Sequence, residues 1–236
     1  MFEWLKNLFG MQSNETTLPP FTTELVATQD VTEVIDWGLK ALGVPEVWKD
    51  TRGEGVKVAV LDTGIATKHP DLKDIIVEFK DFTGKGNVED GNGHGTHCAG
   101  IIASPQNAVG IIGVAPKAQV MVGKVLRDSG SGTIDGIVKG MEWALSAGAD
   151  IISMSLGASR GSADLERVVK KVIAEGKILI VAAGNSGEGR DTISYPGHYK
   201  DVICVGSIND DMDRSRFSST GPNLTIMAPG ENILSC

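Results

Sequence analysis

The chain has 236 residues, 41% of them hydrophobic and 22% charged, which is enough apolar material for a buried core and too much for a disordered chain. Twenty-two Lys and Arg against 30 Asp and Glu leave a net charge of −8, and with no basic run this excludes an ordinary nucleic-acid-binding surface. Three cysteines cannot build a disulfide framework and fit a reducing, cytoplasmic setting, and no apolar run reaches the ~18 residues of a membrane span.

Residues 1–30 read as a leader. Trp4, Leu5, Leu8 and Phe9 follow helical spacing and predict a short amphipathic helix docked on its own domain, without the basic start or apolar stretch of a secretory signal. Gln12 to Pro20 is polar and ends in Pro19-Pro20, which breaks a helix. Residues 31–236 read as one domain. Seven β-rich runs follow: Val56–Leu61, Ile75–Phe82, Gln119–Leu126, Asp150–Met154, Lys177–Ala182, Asp201–Val205 and Leu224–Ala228. Several are continuously apolar, as in strands buried on both faces of a parallel sheet. Between them, Ile134, Ile137, Val138, Met141 and Leu145 recur at helical spacing and stop at Gly148; Leu165, Val168, Val169, Val172 and Ile173 do the same and stop at Gly176. The alternation predicts an α/β fold, a doubly wound and mostly parallel seven-stranded sheet with helices on both faces. Ligands of such sheets bind beyond the carboxyl ends of the strands.

Three motifs stand at those ends. Asp62-Thr63-Gly64 follows a buried strand directly, and a carboxylate there must be paired or catalytic. In Asp90-Gly91-Asn92-Gly93-His94-Gly95-Thr96-His97-Cys98, glycines flank His94 and let a helix open at the imidazole, near an aspartate, as general base chemistry requires. His94, His97 and Cys98 also read as half of a metal site, without the other half. Asn185, in Ala182-Ala183-Gly184-Asn185-Ser186, can donate a side-chain N–H to a developing oxyanion or serve as a turn asparagine.

In the chain order Asp, His, Asn, these motifs resemble the subtilisin-like serine protease family. The likeness extends from Val44 to Cys236 through His69-Pro70-Asp71-Leu72, Gly113-Val114-Ala115-Pro116, Lys124-Val125-Leu126, Ile152-Ser153-Met154-Ser155-Leu156-Gly157, Tyr195-Pro196-Gly197 and Ala228-Pro229-Gly230-Glu231. Arg52 to Gly64 and Ile152 to Ser155 look most like the intracellular subtilisins of bacilli. The resemblance implies that Asp62 orients His94, that His94 takes a proton from a serine, and that Asn185 stabilises the oxyanion. It implies a peptide substrate held as an added strand between Gly130-Ser131-Gly132 and Ser155-Leu156-Gly157, with glycines leaving room for its backbone. Ala182-Ala183-Gly184 would wall a roomy specificity pocket, with the small neutral Ser186 and Ser194 nearby. Asp71 and Asn107 match calcium-binding side chains, completed by carbonyls of Pro105, Val109 and Ile111, while a further ligand near the N-terminus has no clear match. Leu18-Pro19-Pro20-Phe21 resembles the inhibitory Leu-Ile-Pro-Tyr element of intracellular pro-segments, with Pro for Ile and Phe for Tyr.

The departure is the nucleophile. The family's Gly-Thr-Ser-Met-Ala-x-Pro motif does not occur in the 236 residues, and neither Ser235 nor Cys236 has its context. The expectation is a chain inactive alone, whether truncated, interrupted by an intein, or completed by a separate C-terminal fragment that supplies the serine. The function expected is a serine endopeptidase. An inactive peptide-binding pseudo-protease is the alternative, and an aspartic protease built on Asp62-Thr63-Gly64 is a remote one. A homodimer stays open as a further partner, while nucleic acid and membrane do not figure.

Overall fold

In the computed structural model the described residues are 15–19, 21, 22, 24 and 33–236. The helix expected around Trp4 to Phe9 lies outside them, as does Pro20. Strand β1 (Glu15–Thr17) is followed by two short helices, α1 (Trp37–Ala41) and α2 (Val44–Val47), which sequence periodicity did not reveal. The remaining elements are β2 (Lys57–Asp62), β3 (Ile76–Asp81), α3 (His94–Ala103), β4 (Gln119–Lys124), β5 (Ser131–Thr133), α4 (Ile134–Ser146), β6 (Ile151–Met154), α5 (Ala163–Ala174), β7 (Ile178–Ala182), β8 (Ile203–Ile208) and β9 (Ile226–Pro229).

Each of the seven expected apolar runs is a strand, and together they form one sheet in the order β3-β4-β2-β6-β7-β8-β9. Every neighbouring pair in that sheet is parallel. Two core clusters divide along the pleat. Val58 and Val60 of β2 pack with Val120, Val122, Ala99 and Ala103, whereas Ala59 and Leu61 pack with Met121, Ile137, Met141, Val168 and Val172. Successive side chains of a strand face opposite ways, so α3 covers one face of the sheet and α4 with α5 covers the other.

The helix ends carry their own signals. Thr133 Oγ1 accepts from the Gly136 N–H at 3.0 Å to cap α4, and Ser162 Oγ accepts from the Leu165 N–H at 3.1 Å to cap α5. Gly148 and Gly176, just beyond the two helices, adopt φ of +81° and +70°, the left-handed stop their sequence positions predict. Among the described residues, no helix is long and apolar enough to cross a membrane.

Because the sheet is parallel, Asp62, Lys124 and the Ala182–Asn185 stretch all emerge at one edge. That edge carries the site.

Candidate active site

Asp62 is the last residue of β2 and is 1% exposed. Its Oδ1 accepts from the Thr63 N–H at 2.7 Å and lies 2.8 Å from His94 Nδ1. Its Oδ2 is buried with no hydrogen-bond partner among the described residues. The pair meets because helix α3 starts at His94 and presses against the turn after β2. A Cβ on Gly95 would run into the Gly64 carbonyl, so only glycine lets the helix approach that closely. Gly93, the helix N-cap, adopts φ +98°, a conformation that other residues enter at a cost.

Burial opposes a charge on His94, but its hydrogen bond to Asp62 outweighs this, with Cys98 adding to it, and the imidazole binds its proton well above the usual histidine range. Cys98 Sγ is 3.9 Å from His94 Nδ1. His97, one candidate of the half metal site, does not join them: its Nε2 lies 3.1 Å from the Ile233 carbonyl, and burial lowers its proton affinity.

Two residues with no role assigned from sequence hold this corner. Asp90 gathers the loop before α3: Oδ1 accepts from the N–H groups of Asn92 (3.1 Å) and Gly93 (2.9 Å) and from Thr63 Oγ1 (2.9 Å). Its Oδ2 accepts from the Thr96 N–H (2.9 Å) and hydroxyl (2.7 Å). Burial pushes its carboxyl up, but these bonds more than offset that and hold it below the ordinary range. Lys124, the register partner of Asp62 on β4, is 0% exposed. Its ammonium donates to the Thr63 carbonyl and pairs with Asp128 Oδ1 at 2.8 Å. Asp128 also accepts from the Gly91 N–H at 3.2 Å and from Lys85 at 2.6 Å. The only trace of Lys124 in the sequence is a single charge inside the otherwise largely apolar Gln119–Leu126 run.

Asn185 lies just past β7 and is exposed. Only β6 separates β7 from β2, so at about 4.8 Å per strand Asn185 emerges roughly 10 Å along the edge from Asp62. Ala183 bonds to β8 through the Val205 carbonyl at 2.8 Å, and the Ser194 hydroxyl donates to the Ala183 carbonyl at 3.2 Å.

The two expected peptide-binding edges are brought together around one strand of the chain itself. Glu15, Thr16 and Thr17 pair antiparallel with Thr133, Gly132 and Ser131, and the Leu18 N–H donates to the Gly130 carbonyl at 2.8 Å. From the other side, Thr16 Oγ1 donates to the Gly157 carbonyl at 2.5 Å. Past Pro19 the Phe21 ring sits 5.2 Å from the His94 ring, centroid to centroid. The glycines of these edges also serve the protein's own packing. A Cβ on Gly132 would strike the Val125 carbonyl and the Leu126 side chain, and one on Gly157 would strike Ser194. They admit the protein's own packing. Only Gly130 faces the added strand, with Leu18 Cβ 3.4 Å from where its Cβ would stand.

Of the expected calcium residues, Asp71 and Asn107 meet: Asn107 Nδ2 donates to Asp71 Oδ1 at 2.9 Å. Asp71 is 2% exposed, a buried carboxylate rather than a solvated turn residue. Cys98 and Cys236 are partly buried and Cys204 is buried, all as free thiols. Burial pushes the Cys236 thiol up to about 11, far from a ready nucleophile.

Residues 53–236 match the subtilase family, peptidase family S8. An intracellular serine protease of Paenibacillus polymyxa is 46% identical over 215 residues, covering 88% of this chain and 66% of that protein. The major intracellular serine protease of Bacillus subtilis (strain 168) is 43% identical over 228 residues, covering 92% of this chain and 70% of the relative. Subtilisin DY of Bacillus licheniformis is 46% identical over 186 residues, covering 78% of this chain and 68% of the relative. The chain thus spans about two thirds of the length of these relatives. The chain belongs to the subtilase family.

Proposed function

We propose that this chain supplies the aspartate–histidine pair, oxyanion asparagine and peptide groove of a cytoplasmic serine endopeptidase. The observation that carries the reading is the Asp62–His94 bond of 2.8 Å at the mouth of a groove filled by an extended strand. Asp62 accepts a hydrogen bond from the Nδ1–H and fixes the tautomer in which Nε2 of the neutral ring is the base, and the raised proton affinity of the ring stabilises the imidazolium formed when Nε2 takes the serine proton. Asn185 donates to the oxyanion, and a peptide adds as a strand along Ser131–Thr133, where β1 now lies. Ala182, Ala183 and Gly184 wall the pocket for the side chain before the cleaved bond, and the small Ser194 beside them favours a large apolar residue there.

The 236 residues hold no Gly-Thr-Ser-Met-Ala motif, so we assign the nucleophile to a segment outside them. A fluorophosphonate probe tests this. Label is expected only when the chain is joined or mixed with a segment bearing that motif, and only with His94 intact. Label on the 236-residue chain alone would overturn the assignment. A pure peptide-binding role is the second reading, favoured by the groove's own occupancy; it predicts peptide capture and no label under either condition.

Residues 15–21 act in this reading as a built-in inhibitor. Leu18 fills the groove beside Gly130, Pro19 resists cleavage, and Phe21 covers His94.

Asp71 fits a calcium ion. It is a buried carboxylate with no cationic partner among the described residues, facing a loop in which Ala108 and Gly110 take φ of +67° and +64°. Asp71 and Asn107, with carbonyls of Pro105, Val109 and Ile111, would hold it. The ion would tie two loops together, supplying stability rather than chemistry.

A further inference from the structure

A second cluster of ligand-competent side chains lies at the opposite end of α3 from His94. That helix has 10 residues, so the two ends are about 15 Å apart. A His69 ring nitrogen, an Asp71 carboxylate oxygen and Cys236 Sγ all lie within 4.8 Å of one another. We propose that His69, Asp71 and Cys236 bind a thiophilic divalent cation of the zinc type.

The spacing is close to what such an ion needs. Cys236 Sγ is 3.9 Å from Asp71 Oδ2. Around a tetrahedral zinc, sulfur at about 2.3 Å and oxygen at about 2.0 Å stand about 3.5 Å apart, so a small contraction suffices. In the calcium-free chain Asp71 is short of positive charge: its donors among the described residues are neutral, the Asn107 amide at 2.9 Å, the Ile111 N–H at 3.4 Å and the Cys236 thiol at 3.9 Å. A buried carboxylate ordinarily has a cation or a metal beside it. The two carboxylate oxygens also face different partners, Oδ1 toward Asn107 and Oδ2 toward the Ile111 N–H and Cys236. The nitrogen and sulfur beside Oδ2 suit zinc rather than calcium.

The ligands are held in place. The Asp71 N–H donates to His69 Nδ1 at 3.3 Å and orients the ring. Ser235 Oγ donates to the His97 carbonyl at 2.7 Å and anchors the stretch that bears Cys236. Gly100 of α3 leaves the thiol its seat, since a Cβ there would stand 2.9 Å from Sγ. Ser104 Oγ, 3.1 Å from Sγ, can donate to the sulfur once it is a thiolate, and water takes the fourth position. Binding replaces the S–H bond by a metal–sulfur bond and releases the proton to solvent. The ion staples the stretch after β9 to the turn after β2, and it competes with calcium for Asp71.

Cobalt(II) is the probe. Titrated into the reduced, chelator-treated chain, it should give a thiolate-to-cobalt charge-transfer band that saturates at one ion per chain and is bleached by zinc. The Cys236→Ser variant should lose the band and Cys98→Ser should keep it. This separates the cluster from the neighbouring Asp62, His94 and Cys98 group, which also has metal-ligand spacing. Absence of the band in the unaltered chain, or its loss with Cys98→Ser alone, would overturn the proposal. In the unaltered chain, zinc should also slow alkylation of Cys236 by ~10-fold or more, with Cys98 as the internal control. Equal Cys236 alkylation rates with and without zinc would contradict it, whatever the folding of the variants.

Discussion

The corner that holds His94 and the corner that holds Asn185 stand on the same edge of one parallel sheet, yet they are built differently. Around His94, the buried Asp62 and Lys124 and the half-buried Asp90 hold the chain through hydrogen bonds that join the end of β2, the loop before α3 and the 127–130 turn. Around Asn185 the chain is exposed and rich in small residues, tied mainly through the backbone, as in the Ser219 N–H to Gly184 carbonyl bond of 2.9 Å. The difference matches the proposed tasks. A base needs a fixed tautomer and direction, which buried ionic bonds impose. An oxyanion donor needs open space in front of it, where charge appears only during reaction.

Substitutions can break this contrast. The largest effect is expected at Lys124. Lys124→Met leaves the Thr63 carbonyl and Asp128 without their buried cation and should cost about 2–4 kcal/mol, less than for a fully buried pair because Asp128 is partly exposed. Denaturant unfolding reads it. Gly95→Ala pushes α3 away from Gly64 and should cost about 1–3 kcal/mol, lengthening the Asp62–His94 bond as a shift of the imidazole proton resonance would report.

Acid sharpens the same comparison. Asp90 and Asp128 are both held below the ordinary 3.8, Asp90 by hydrogen bonds that outweigh burial and Asp128 by Lys124 first and Lys85 next. Their contribution is therefore complete above pH 3.8 and lost as pH falls through the lower folded values. Stability measured from pH 6 downward should fall below about pH 4, and Asp90→Asn should flatten that fall. The smallest stability change is expected at Asn185. Asn185→Ala should alter unfolding by less than about 0.5 kcal/mol, yet lower kcat of the active protease by ~10²–10³. A large stability loss there would erase the contrast between the corners.

The seven strands were legible as short β-rich runs, the central β2 and β4 as contiguous apolar stretches buried almost throughout and the outer β3 and β9 as more exposed ones, and Gly148 and Gly176 marked the helix ends. Helices α1 and α2, of 5 and 4 residues, are too short to show a period. α1 leans on contacts far away in sequence: Trp37 Nε1 donates to the Glu231 carbonyl at 3.1 Å, and the Leu234 N–H donates to Asp36 Oδ2 at 2.9 Å. At the site, Asp62, His94 and Asn185 stood out as polar residues at strand and helix ends. Asp90 and Lys124 did not, since their importance rests on the number of loops each one ties. The seating of Glu15 to Thr17 was not legible, because the resemblance covered only Leu18 to Phe21 and a polar Glu-Thr-Thr run carries no strand signal of its own.

The central claim is that this groove serves peptide cleavage at His94 and is closed by its own leader. The most direct measurement is the hydrolysis rate of a chromogenic peptide by the nucleophile-bearing protease, with and without residues 1–24. The account predicts a rise of at least ~10-fold on removing the leader, abolished by His94→Ala. An unchanged rate, or hydrolysis that survives His94→Ala, would contradict it.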